Sequence, residues 1–442
     1  MRRRALFLFL MILSGVLQAE AQTPAAPEAA TQTRPRTVTI QPPPQTGATP
    51  APIAQPPATI FPQTPSVLPK PAPAPLTPEN NAAIAQTARS LGIEKIRARI
   101  AEAERLLRTR PAPTALTVAP ALPSAPRTAT TPAQSSPSID FVTIAALDTS
   151  TSKVHFITMP KALFLQKGAE ANVTTSEGTM VNLRVIRANG VNTALVIFDA
   201  TGHSLAPLVV QYPIERGGRF LEMAYYTSAH PSLLSPDVIK AGQNYVRTMI
   251  DLAAKRLQLK GIKIDAEVLN VAERLCVVEH TDHDRFRREN RIALYEEIFA
   301  LYSLNELDTY RYSVSTAGAG GMVQMIPATY RMVRDKHPGV GLNPDFVVGM
   351  RNHGNALEAM LLYMQDTWND LAANEDVVYA LSAKTATKAE LMSAGYNSNP
   401  ARLPLYLNRG GAAWRTLIPR ETQMYLQIYH SLESLVPMKE RS

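Results

Sequence analysis

The stretch Ser315-Thr316-Ala317-Gly318-Ala319-Gly320-Gly321-Met322-Val323-Gln324-Met325-Ile326-Pro327-Ala328-Thr329 decides how the second half of this chain is read. Glycines at 318, 320 and 321 argue against a helix there, yet Pro327 suits the first turn of one. Small residues let the backbone approach another group closely, while Ser315, Thr316 and Gln324 supply polar side chains. The segment reads as the wall of a site, made largely of backbone and set just before a helix.

Around it the 3.6-residue period dominates from Ser235 onward. The spacing predicts helices over 238–257, 265–280, 291–302, 327–336, 354–373, 376–383 and 420–435, separated by loops carrying Gly, Asn and Pro. About two hundred residues of this kind can bury a sizeable core. In the 265–280 helix, Val268, Val271, Ala272, Leu275 and Val278 form an apolar stripe. Glu279 follows Leu275 by four positions and so shares that face at the helix's C-terminal end, whereas Glu273 reads as solvated. A carboxyl set against apolar groups keeps its proton toward neutral pH, as a general acid must. Glu279 is therefore the candidate catalytic residue. Cys276, the chain's single cysteine, falls in the same apolar pattern and reads as core filler.

Three segments then fall in order. Ser315, Gly318, Ala319, Gly321, Gln324, Pro327 and Thr329 fit S-x-x-G-A-x-G-x-x-Q-x-x-P-x-T. Tyr396, Asn397 and Pro400 fit a Tyr-Asn loop with Gly395 and Asn399 in place of the usual Ala and Gly, and Glu421, Thr422 and Tyr425 fit E-T-x-x-Y. Together they resemble the soluble lytic transglycosylase and goose-type lysozyme superfamily, whose members cleave peptidoglycan glycan strands. The resemblance covers roughly 265–433. It implies a C-terminal all-α lysozyme-like domain with Glu279 as the catalytic residue after Cys276-Val277-Val278. It implies substrate binding by Ser315, Gly318, Ala319, Met322, Gln324, Tyr396 and Asn397, with Glu421 and Tyr425 in support, and neither cofactor nor metal. Ser315 and Gln324 would meet the acetamido groups of the sugars, and Tyr396 and Asn397 would orient Glu279 or the sugar. Two departures stand out: His280 replaces the common Ser, and Ser315 lies 36 residues beyond Glu279, far more than the short gap usual in the superfamily. Val323 stands where Met usually precedes the Gln.

Before residue 139 the chain changes character. Residues 1–21 read as a signal peptide, with an uncleaved N-terminal membrane anchor as the alternative: Arg2, Arg3 and Arg4, an apolar run from Ala5 to Leu17, then Ala19-Glu20-Ala21. Residues 22–138 hold 24 of the 36 prolines and read as a disordered Pro/Ala-rich tether, interrupted by helical spacing of Ile93, Ile96, Ile100 and Leu107 near 80–110. That island reads as a marginal solvated helix or a docking or self-association helix. Residues 139–230 carry short β-branched runs between turn signals such as Asn189-Gly190 and Gly217-Gly218, which predict a small all-β sandwich or barrel, an accessory module. The expected fold class is thus multidomain: tether, small β domain, and a helical domain over 231–442.

A net charge of +8 favours an anionic partner, and an exported chain without a dense Lys/Arg cluster speaks against nucleic acid. His280-x-x-His283 beside Asp282 is not a H-E-x-x-H pair and lacks a third ligand. The expected function is a periplasmic lytic transglycosylase, a lyase giving 1,6-anhydro ends. The alternatives are a hydrolytic muramidase, in which Asp282 or Asp284 would activate water, and a non-catalytic wall-binding or scaffold subunit of an envelope complex. The tether and β module suit service to an envelope-spanning secretion or conjugation apparatus through envelope protein partners.

Overall fold

The computed structural model describes residues 76–110 and 140–442. The expected signal peptide and the remainder of the proline-rich stretch lie outside them.

The island near 80–110 is two helices, Pro78–Ser90 (α1) and Ile93–Thr109 (α2). Thr77 caps the first by accepting from the Asn80 amide at 3.2 Å, and Leu91-Gly92 breaks the run between them. Seven strands follow: Phe141–Asp148 (β1), Lys153–Pro160 (β2), Glu170–Thr174 (β3), Met180–Arg187 (β4), Ala194–Asp199 (β5), Ser204–Arg216 (β6) and Arg219–Tyr226 (β7). A single turn of helix, Lys161–Phe164 (α3), links β2 to β3. All pairings are antiparallel, in the order β2-β1-β6-β5-β4-β3, with β7 added to β6. The long β6 pairs with β5 at Leu205, with β1 along Ala206–Gln211 and with β7 from Val210 to Arg216. Register shifts at Ala145/Ala146, Val185/Arg187 and Ile214/Glu215 bend these ladders, as bulges do, and the sheet curls.

The remaining helices are Pro236–Leu259 (α4), Ala266–Val278 (α5), His283–Arg288 (α6), Arg291–Asn305 (α7), Pro327–Lys336 (α8), Phe346–Arg351 (α9) and His353–Ala372 (α10). Four more complete the chain: Glu375–Ser382 (α11), Lys388–Asn397 (α12), Leu403–Gly410 (α13) and Arg420–Leu435 (α14). α4 lies so close to α7 that a Cβ on Gly242 would sit 1.8 Å from the Phe299 carbonyl oxygen, so only glycine fits there. Among the described residues, no helix is long and apolar enough to cross a membrane.

This architecture corrects the expected fold class in three respects. The sheet is neither a sandwich nor a closed barrel. Its edges approach where the Ser176 amide donates to the Phe156 carbonyl at 2.9 Å, but no ladder joins β2 to β3 among the described residues. The 80–110 helices are not solvated: Ile96, Ala103 and Leu107 are fully buried, and the Thr87 hydroxyl donates to the Ser204 carbonyl at 3.1 Å. Finally, the sheet and the helical region do not keep separate cores. One continuous apolar core includes Leu107 of α2, Ile144 and Leu208 of the sheet, and Val246, Leu275, Phe299 and Met360 of the helices. β1 is buried from Val142 to Leu147 without alternation, because elements cover both of its faces. Polar links reinforce this continuity. Asn305 exchanges hydrogen bonds with the Thr227 backbone at 2.9 and 2.8 Å, Arg351 pairs with Glu222 at 2.6 Å, and Arg97 with Glu306 at 2.8 Å.

Candidate functional site

α5 is buried on nearly every side, since α4, α7, α10, α12 and α14 all pack against it. Its apolar stripe of Val268, Val271, Ala272, Leu275 and Val278 lies in the core, and Cys276 is buried there with its thiol pushed up by burial. Glu273, expected in solvent, is instead buried and paired with Arg247 at 3.3 Å and with Arg441. A charge on the buried side is tolerated because two guanidinium groups meet it.

Glu279 is the C-terminal cap of α5 and is half-buried. The Tyr425 hydroxyl donates to its Oε1 at 2.8 Å. Tyr425 lies four positions along α14 from Glu421, which is half-buried in the first helical turn. Thr422, between them, donates to Asn397 Oδ1 at 2.9 Å and so joins α14 to α12.

Tyr396 and Asn397 close α12, so they stand on a helix end and not on the loop the sequence suggests. The Tyr396 hydroxyl donates to the Val323 carbonyl at 2.7 Å, and its ring meets Tyr363 edge-on at 5.7 Å. The preceding carbonyl, that of Met322, accepts from His280 Nε2 at 3.0 Å. Two neighbouring carbonyls of the glycine-rich segment are thus held from α5's end and from α12's end.

The segment itself is a compact knot. The Ser315 amide donates to the Ala319 carbonyl at 2.9 Å, and the Ala319 amide donates back to Ser315 Oγ at 2.9 Å. Gly320 donates to Met325 at 3.1 Å and Gly321 to Ser313 at 3.2 Å. Gly321 has φ +67°, and a Cβ there would lie 2.3 Å from the Met350 carbonyl oxygen, which explains this glycine twice over. Gln324 takes φ +45°, unusual for a side-chain-bearing residue. Its amide nitrogen donates to the Gly321 carbonyl at 2.8 Å and to Ser313 Oγ at 3.2 Å.

The structure therefore brings Glu279, Tyr425, Tyr396 and the 322–323 backbone into one neighbourhood, and links Asn397 to it through Thr422. Ser315 and Gln324 are buried and bonded within their own segment. Met322 and Ala319 are buried in the core, and Gly318 sits half-exposed at the turn. The two carboxylates considered as water activators are otherwise engaged. Asp282 caps α6, accepting from the Asp284 and Arg285 amides at 2.8 and 2.9 Å, and Asp284 pairs with Arg287.

The sequence marks His280 as a departure from the family pattern and as a poor metal ligand, and gives it no part in the site. Its ring stacks on Tyr310 with centroids 3.3 Å apart and planes 2° from parallel. Burial drives its pKa down to about 3, against the pull of the Met322 bond, so the ring is neutral and the hydrogen on Nε2 faces the carbonyl. Its place beside Glu279 was the available signal. No family model, curated protein or solved structure matches this chain.

Proposed function

We propose that this protein is a lytic transglycosylase of peptidoglycan, acting through Glu279. The observation that supports this most is the placement of one carboxyl at the end of a buried helix, hydrogen-bonded by Tyr425, beside a backbone segment held by Tyr396. Glu279 stands at the negative pole of α5. A proton on this carboxyl is what general-acid chemistry requires.

In this reading Glu279 protonates the oxygen joining N-acetylmuramic acid to N-acetylglucosamine as the bond from the muramic C1 to that oxygen breaks. The resulting carboxylate takes the proton of the muramic 6-hydroxyl while O6 bonds to C1 and closes the 1,6-anhydro ring. Protons balance, and Glu279 ends as it began. Hydrolysis would need a second carboxylate to activate water. The engagement of Asp282 in its helix cap favours the cyclising route over Asp282-assisted hydrolysis. Export to a periplasm and service to an envelope apparatus belong to the same proposal, motivated by the signal-like start and proline-rich stretch.

A second reading, a non-catalytic wall-binding subunit, draws on one observation: Ser315 and Gln324 turn their polar groups into their own segment instead of outward. One experiment separates the two. The full chain is incubated with insoluble peptidoglycan, and soluble products are examined by mass spectrometry for anhydro-muropeptides, beside Glu279→Gln. Products from wild type alone support the enzyme; sedimentation with the wall and no products supports the binding subunit.

A further inference from the structure

In the proposed site Glu279 belongs to the end of α5 and the 318–324 segment to a separate stretch of chain, and Ser315 follows Glu279 by 36 positions. Chain connectivity over such a length does not set their spacing. Packing must, and His280, in Glu279's own backbone turn, makes a contact that reaches the segment.

That turn is tightly wound. The His280 amide donates to Val277 and the Thr281 amide to Val278, both at 3.1 Å, and Thr281 Oγ1 donates to Val277 at 3.0 Å. His280 leaves it flat against Tyr310, with Nε2 on the Met322 carbonyl. Tyr310 is itself constrained. It has φ +59°, a left-handed conformation that a side-chain-bearing residue keeps only when its surroundings hold it there. Its amide donates to the Tyr226 hydroxyl of β7 at 3.4 Å, and Tyr302 meets its ring edge-on at 5.4 Å. The line from sheet to site therefore runs Tyr226, Tyr310, His280, Met322. On the far side, Tyr396 holds the next carbonyl, that of Val323. Gln324 follows at φ +45°, and such a bend persists when the atoms before it are fixed from both sides.

We propose that His280 is a positioning residue: stacked on Tyr310 and bonded to the Met322 carbonyl, it sets the Glu279 carboxyl against the 318–324 segment. The inference rests on the reading of Glu279 as the acid. It gives the 280–312 insert a task as well, that of delivering Tyr310 as the platform for this ring.

The test uses the full chain and solubilised glycan strands, with rates normalised to the folded fraction by circular dichroism. His280→Phe keeps a ring to stack and removes the donor; His280→Gln restores an N–H near the position of Nε2. The expected result is a kcat about tenfold to a hundredfold lower for H280F, as misplacement near 1 Å produces, with KM within about twofold and H280Q recovering most of the loss. Should H280F not fold, Tyr310→Leu removes the platform and is expected to lower kcat in the same way. Wild-type kcat in H280F, or H280Q no better than H280F, overturns the proposal while leaving Glu279 as the acid. No product from wild type overturns both readings.

Discussion

Tyr425 and Glu279 lie 146 positions apart, and the phenol of one donates to the carboxyl of the other at 2.8 Å. No local rule joins them. α14 and α5 pack together, and the side chains that meet at the end of α5 are a carboxyl and its donor.

Tyr425→Phe removes this donor and little else. A lost hydrogen bond to such a group costs about 1–3 kcal/mol at most, so the chain stays folded. Release of anhydro-muropeptides is expected to fall about tenfold or more, the loss typical of a disoriented general acid. Unchanged release at unchanged protein concentration would remove Tyr425 from the site.

Ile96 on α2 is fully buried in the core shared by sheet and helices. Ile96→Ala is expected to lower the unfolding free energy of the whole chain by about 2–4 kcal/mol, read from a urea titration. A solvated helix would make the substitution silent, and that outcome would sink the shared core.

The Glu390 carboxylate, on α12, ties it to Arg415 at 2.6 Å and to His430 of α14 at 3.1 Å. Hydrogen bonds to Glu390 and Glu433 raise His430 to about 9 against burial, from an ordinary 6.5. Its contribution is therefore complete below pH 6.5 and disappears as pH rises through 9. Burial works against the Glu390 charge, but bonds from His430 and Arg415 more than offset it and hold the carboxyl at about 2, below its ordinary 4.5. That contribution is complete above pH 4.5 and disappears as pH falls through 2. Thermal midpoints recorded from pH 5 to 10 should decline on the alkaline side, and His430→Gln should flatten this decline between 6.5 and 9. A parallel decline in the variant would assign it to other groups.

Arg441, near the C-terminus, pairs with the buried Glu273 and with Asp251 at 2.7 Å, and its amide donates to Asn270 at 3.0 Å. Arg441→Ala leaves Glu273 with Arg247 alone. The expected loss is about 1–3 kcal/mol, seen as a lower urea midpoint with an unchanged slope. No shift would mean that Arg247 suffices.

Several elements were legible from residue pattern. The spans 327–336 and 420–435 coincide with α8 and α14, because Pro327 opens one and an uninterrupted amphipathic run forms the other. The residue pattern hides α12: eight of its ten residues are buried, so no polar face marks a period. With it went the setting of Tyr396, expected on a loop because Asn and Pro surround it. Glu273 reads as solvated in the sequence for a related reason. Its partners Arg247 and Arg441 are remote in sequence, and an isolated helical glutamate gives no sign of them.

By itself the sequence determined the elements whose signals are local: the glycine-rich turn, the apolar stripe ending at Glu279, most of the helices and several of the strands. Only the tertiary structure decided what lies next to what. Burial of apolar surface is non-directional, so an amphipathic face declares that it needs cover without saying by what. Hence α2 joins the core of sheet and helices instead of standing apart, α1 sets Ile84 against Val196 and Phe198 of β5, His280 lies on Tyr310, and the Glu279 carboxyl receives a hydrogen bond from Tyr425.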